Sequence, residues 1–235
     1  MPVLLLCRGE PKAKERLRRV IEARYGTSPP AIERIIMRFT GKTRMKLGPI
    51  HSWVPASAQA SFWFPNKLRW EFTAKPLGLP VQKHIEAYDG TTYHSRWAIG
   101  SDKDSVETRL LASARGRLWQ MAAILLTPMS DHYIEVSDCG EWCIQADNIQ
   151  LHDSVRIMLR ENYSIEQVVI QTHNPDTERV QTLALKLSED LVEVGDLRLP
   201  KQVNAFWDDK PYFELTPTEV ELHPFMASDF FTLAD

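Results

Sequence analysis

Between Phe64 and Trp97 three short alternating segments follow one another with turn signals between them. In the first, Leu68, Trp70 and Phe72 share one face of an extended chain, and Lys67, Arg69, Glu71 and Thr73 share the other. A Pro/Gly-rich bend leads to Val81–Tyr88, and Asp89-Gly90, a strong hairpin dipeptide, leads to Thr91–Trp97. Side chains repeating every second residue belong to a sheet. The Trp70 and Phe72 face is wide and aromatic, so whatever covers this sheet must supply a large apolar surface.

The rest of the chain extends the pattern. Pro11 to Tyr25 predicts a helix with Ala13, Leu17, Val20 and Ile21 on a partly apolar stripe, and Gly26 is its stop signal. Ile32–Arg44 reads as a strand, Gly48-Pro49 as a turn, and Ala58–Phe64 as a second strand with Ala58, Ala60, Phe62 and Phe64 on one face. The period then changes. Val106, Leu110, Leu111, Ala114, Leu118, Met121, Ala122 and Leu125 recur at three- and four-residue spacings, with Gly116 dividing a more polar half from a more apolar one and Pro128 closing the segment. Trp119, Ala123, Ile124 and Leu126 spread apolar surface nearly around the second half, so this helix must be enclosed on several sides. From Tyr133 onward strands return: Val155, Ile157 and Leu159; Ile165–Thr172; Leu183, Leu185 and Leu187; then Val192–Val194, Val203–Trp207, Tyr212–Leu215 and Val220–Leu222. Turns are expected at Asn174-Pro175-Asp176 and Asp208-Asp209-Lys210. The fold class is mainly β (α+β): about ten antiparallel strands in a strongly curved sheet, an unclosed barrel, with the N-terminal helix and an inserted apolar helix covering the concave face. The 235 residues form a single domain, with residues 1–10 a disordered tail or the remnant of a signal.

Composition excludes several roles. A net charge of −3 gives no general attraction to nucleic acid or to an anionic membrane surface. No apolar run approaches the roughly 20 residues that cross a bilayer. Val3–Leu6 before Cys7 resembles the tail of a lipoprotein signal but is shorter than a signal core and lacks a preceding basic region. Whether Cys7 is lipidated stays open. Three cysteines are too few for a disulfide framework. Cys139 and Cys143 either pair across a tight turn in an exported protein or are two small semi-buried residues flanking a hairpin. His132 and His152 lie near them without a metal-ligand spacing, and no metal or cofactor is expected.

Phe64-Pro65-Asn66-Lys67-Leu68-Arg69-Trp70-Glu71-Phe72, Tyr88-Asp89-Gly90-Thr91-Thr92-Tyr93 and Leu199-Pro200-Lys201-Gln202-Val203 resemble the LolA/LolB-like family of outer-membrane lipoprotein carriers and sorting proteins, which also includes RseB-type sensors. The resemblance implies an unclosed antiparallel barrel with a helical lid over a cavity for acyl chains. It also implies a periplasmic or outer-membrane-associated location. One position departs from the carriers: an arginine that latches their lid precedes the Pro-Asn step, where this chain has Phe64. The resemblance does not place Cys139, Cys143 or the long 101–128 segment in the carriers.

No catalytic pattern accompanies this. The seven histidines are scattered, and there is no nucleophile elbow, P-loop or dinucleotide fingerprint. His84 and His94 flank the Asp89-Gly90 turn and are placed to face each other; an enzyme would need them to converge inward with Glu86 and Asp89. Wide rings and flexible methionines suit a cavity wall. The expected function is non-catalytic binding or transport of a lipid or lipidated protein by a monomer, at about 0.8 kcal/mol per buried methylene. Phe62, Phe64, Leu68, Trp70, Phe72, Trp97, Leu118, Trp119, Met121 and Leu125 would line the cavity, with the 103–127 segment as lid or plug. The alternative is an envelope sensor or protein-interaction module with a filled interior and an envelope protein as partner.

Overall fold

The structure is a computed structural model that describes residues 3–76, 82–97, 103–105, 108–174 and 177–233. The first half contains β1 (Arg8–Gly9), α1 (Pro11–Tyr25), β2 (Arg34–Leu47), β3 (Ile50–Trp63), β4 (Lys67–Ala74), β5 (Gln82–Tyr88), β6 (Tyr93–Trp97), β7 (Lys103–Ser105) and α2 (Thr108–Leu125). A 3-10 turn at Thr127–Ser130 follows. Then come β8 (Ile134–Gly140), β9 (Cys143–Asn148), β10 (Asp153–Leu159), β11 (Ile165–His173), β12 (Val180–Leu187), β13 (Leu191–Val194), β14 (Leu197–Pro200), β15 (Val203–Trp207) and β16 (Lys210–Leu222).

Fourteen of these strands make one sheet in the order β1-β8-β9-β10-β11-β12-β15-β16-β2-β3-β4-β5-β6-β7, and β13 and β14 form a separate hairpin. Two meanders are joined where β16 pairs with β2, and among the described residues only the β1–β8 contact is parallel. The sheet does not close: β7 ends one edge and β1 the other. Its curl follows from one fact. The single helix α2 touches β10 and β11 near one end of that order and β4, β5 and β6 near the other, so the sheet wraps around it.

Local chemistry accounts for the elements. Pro11 supplies the pre-set φ that a first helical turn needs, and Gly26 ends α1 at φ 71° while its N–H donates to the Glu22 carbonyl. On the concave face of β2, Ile35, Met37 and Phe39 are buried. In β3, Ala58 and Ala60 lie opposite Phe72 and Trp70 of β4. These small residues give the rings room to spread, and Trp70 reaches Phe39, Phe72 and Phe213, each with centroids 6.4 Å away. The convex face of the same region is not simply solvated. The C-terminal tail folds across it, burying Phe231, while Arg69 donates to the Phe230 carbonyl (2.9 Å) and Arg96 to the Leu233 carbonyl (2.9 Å).

Several sequence expectations are corrected in detail. The second strand begins at Ile50 rather than Ala58, and the two expected runs Tyr212–Leu215 and Val220–Leu222 are one strand, β16, with a register shift between Pro217 and Glu219. α2 is one helix on both sides of Gly116, the expected divide between its more polar and more apolar halves. The Asp89-Gly90 hairpin has a four-residue loop, in which Asp89 Oδ1 accepts from the N–H groups of Thr91 and Thr92 at 2.8 Å. Pro175 and Asp176, within an expected turn, lie outside the described residues.

Candidate functional site

α2 crosses the concave face, and its two sides are held differently. Toward β10 and β11 it is pinned. Gly116 brings the helix so close that an added Cβ would lie 2.8 Å from Ile170 Cδ1, and Arg115 forms an ion pair with Asp153 (2.9 Å). Gln120 Nε2 donates to the carbonyls of Val168 (3.1 Å) and Leu183 (2.8 Å). The C-terminal end of α2 is held by α1: Arg24 Nη1 donates to the Ile124 carbonyl and the Tyr25 hydroxyl to the Leu125 carbonyl (3.1 Å). A cation at the negative end of a helix whose last carbonyls lack helical partners is favourable.

Toward β4, β15 and β16 the helix instead faces an apolar cavity of about 70 Å³. Of the residues expected to form such a wall, Phe62, Leu68, Trp70, Phe72 and Met121 line it. Leu118, Trp119 and Leu125 are buried in the core away from it, Trp119 packing on Tyr133 with centroids 5.9 Å apart. Phe64 stacks on Phe62 (5.8 Å) but borders a different cleft of about 350 Å³, under the N-terminal segment near Val3 and Pro128. The side chain of Trp97 lies outside the described residues. Sequence reasoning missed Leu183, Leu185, Trp207, Tyr212 and Phe213 as wall residues, although each sits in a run whose alternation was visible. It also missed Ser113, Arg117 and Gln120, polar residues recurring on one side of an apolar helix.

Beside the apolar cavity, sharing Ser113 and Arg117 with it, is a polar chamber of about 190 Å³. Glu86 lines it, 7% exposed, paired with Arg117 Nη1 and accepting the Tyr93 hydroxyl at 2.9 Å. Burial opposes a charge on Glu86 most strongly of any single influence, but the Arg117 guanidinium, His84 and the hydrogen bonds from Arg117 and Tyr93 together hold the carboxyl below its ordinary range. Burial, with Glu86 next to it, drives the Tyr93 phenol well above its usual value, so it remains a donor. His84 lies on the same face, 3.8 Å from Glu86 and bonded to Ser95 Oγ at 3.0 Å, and burial pushes its imidazole down toward neutrality.

His84 and His94 do not face each other. His84 is opposite Trp97 and His94 opposite Ala87, on opposite faces of the sheet, and His94 binds Asp89 Oδ2 at 3.1 Å. Cys139 and Cys143 are joined in a disulfide across the β8–β9 turn, with Cα atoms 5.1 Å apart. Around it Arg16 Nη1 donates to Asp138 Oδ1 (2.9 Å) and to the carbonyls of Gly140 (2.9 Å) and Cys143 (2.6 Å), which ties α1 to this hairpin. Cys7 is 1% exposed, and burial raises its thiol. His132 pairs with Asp131. Among the described residues no three His, Cys, Asp or Glu side chains converge as metal ligands, and no helix is long and apolar enough to cross a membrane.

The chain's sequence matches no family model and no curated protein. Its three-dimensional arrangement is shared with solved structures. A LolA superfamily protein from Nitrosomonas europaea superposes with a TM-score of 0.52 at 10% identity, covering 93% of this chain and 96% of its own. The fold is LolA-like. A DUF1329 family protein from Desulfovibrio piger gives a TM-score of 0.53 at 6% identity over 94% and 95% of the two chains. A domain described as an outer-membrane lipoprotein-sorting protein, from Vibrio parahaemolyticus, gives 0.50 at 8% identity over 94% and 97%. The likeness spans nearly the whole chain in each case, so the unclosed sheet and its inserted helix are one architecture and not a chance match of a few strands.

Proposed function

We propose that this protein is a non-catalytic binder of acyl chains, of a lipid or a lipidated protein, in a bacterial cell envelope. The observation that carries this reading is the asymmetry of α2. One flank is pinned to β10–β12 by close packing, hydrogen bonds and an ion pair, while the other faces a continuous apolar wall of Trp70, Phe72, Trp207, Tyr212 and Phe213. On that flank the Arg117–Glu86 pair ties the helix to β5. A cavity of about 70 Å³ holds roughly two water molecules, far less than an acyl chain. A chain therefore enters as α2 swings from β4 and β16 about its pinned flank, exchanging helix side chains for methylenes against the same rings. The envelope location is supported by the Cys139–Cys143 bond, which persists in oxidising compartments, and by the lipoprotein-sorting description of one structural neighbour.

A second reading has its own support. Leu118, Ala122 and Leu125 are fully buried, as in an interaction or sensor module whose interior is simply filled. Solvent extraction and mass spectrometry of gently purified protein, with titration of the uncharged probe N-phenyl-naphthylamine, separates the two. Acyl binding predicts co-purified acyl lipid and saturable probe fluorescence. A protein that carries no lipid and leaves the probe dark is the filled-interior module.

A further inference from the structure

Gln120 is a hydrogen-bonding side chain set into an apolar wall. It is 1% exposed, and both of its amide hydrogens are directed to the sheet, at the Val168 and Leu183 carbonyls. Those two bonds also decide which end of the amide is nitrogen. Its Oε1 is buried and has no hydrogen-bond partner among the described residues, and the side chain borders the cavity with Met121, Leu183, Leu185 and Trp70. An acceptor left unpaired in such surroundings is costly, so a Leu or Met there would serve packing better. Farther along the same side of α2, Arg117 and Ser113 border both this cavity and the polar chamber. Among the described residues the chamber's charges fall in pairs, Glu86 with Arg117 and Glu178 with Arg109 (3.3 Å).

We infer that the ligand is an uncharged amphiphile bearing an O–H or N–H donor where its chain meets its head, the donor bonded to Gln120 Oε1 and the head in the polar chamber. This rests on the acyl-binding reading and specifies its substrate class. An anionic head would meet Glu86 beside a guanidinium that already has its carboxylate, and a cationic head would meet Arg117. A fatty amide or fatty alcohol meets both demands. An alkyl ester lacks the donor, and a fatty acid anion lacks the donor and carries a charge.

The test is displacement of N-phenyl-naphthylamine from the full chain at neutral pH by four ligands of one chain length: lauramide, lauryl alcohol, methyl laurate and laurate. Lauramide and lauryl alcohol are expected to displace the probe at roughly tenfold lower concentration than methyl laurate, with laurate weaker than the alcohol. In Gln120→Met, of similar volume but without the acceptor, the gap between amide and ester should close. Equal displacement by lauramide and methyl laurate in the unaltered protein overturns the inference without recourse to any variant. So does a gap that survives in Gln120→Met, or laurate outcompeting the alcohol. A probe that never binds removes the acyl-binding reading itself, a separate outcome.

Discussion

Glu86 keeps its charge on a face shared with Trp70 because Arg117 reaches it from α2 and Tyr93 donates to it. Its folded pKa is depressed, so its contribution to stability is complete above the unfolded carboxylate range and is lost as pH falls through and below that range. Glu86→Gln should therefore lower the thermal midpoint at neutral pH, by the equivalent of about 3–5 kcal/mol for a broken buried pair. The difference between the two midpoint curves should shrink between about pH 5 and pH 3. Parallel curves over that window would remove the ion pair from the account of lid closure. Arg24 is another residue on which α2 depends. Arg24→Met withdraws a buried donor from the Ile124 carbonyl and should cost about 1–3 kcal/mol, while Tyr25→Phe, losing one neutral bond to Leu125, should cost about 1 kcal/mol. Differential scanning calorimetry of the two variants ranks them; equal losses would mean that the guanidinium is not the principal anchor.

Among elements, those with strong side-chain periodicity were legible in the sequence. α1 occupies the expected Pro11–Tyr25, and β10, β11 and β12 fall where Val, Ile and Leu alternate. The first half of β3 was not legible because Ser52, Pro55, Ser57 and neighbouring Ala residues have little apolar contrast; its register with β2 is imposed by the hairpin at Gly48. Gly116 is a poor residue for a helix interior by propensity, and it sits inside α2 where the helix closely approaches Ile170. At the site, alternation identified Leu68, Trp70 and Phe72. The Glu86–Arg117 pair joins positions 31 residues apart and has no local signature. The disulfide also belongs to this scale, since its short loop and the Arg16 bonds to Gly140 and Cys143 fasten the β8–β9 turn to α1. Closing so short a loop is worth about 2 kcal/mol. Dithiothreitol should lower the unfolding midpoint of the unaltered protein by roughly 4–8 °C and leave a Cys139→Ser, Cys143→Ser double variant unmoved. A midpoint that ignores the reductant would show that α1 alone holds the turn.

For the whole molecule, the proposed function would make stability and ligand capacity draw on the same space. The concave face must be covered for the sheet to fold, and α2 covers it; on the proposed function a guest chain would then compete with the helix for those rings. Met121 is where the two demands meet, because it is buried, borders the cavity and lies on the flank of α2 that faces Trp70 and Phe213. Shortening it leaves the ring wall intact while removing a side chain that competes with the guest. Met121→Ala should cost about 2–5 kcal/mol in unfolding free energy by enlarging the cavity, yet bind N-phenyl-naphthylamine more tightly. Met121→Trp overfills the same space, costs about 1–3 kcal/mol through forced rearrangement, and should weaken the probe. Both variants lose stability, so a probe signal that merely followed unfolding would move in one direction in the pair. Opposite movements in probe affinity, measured by fluorescence titration beside denaturant unfolding, mark a cavity that α2 occupies in competition with a ligand. Affinity that stays fixed in both variants would place the probe elsewhere on the protein and leave α2 a permanent part of the core.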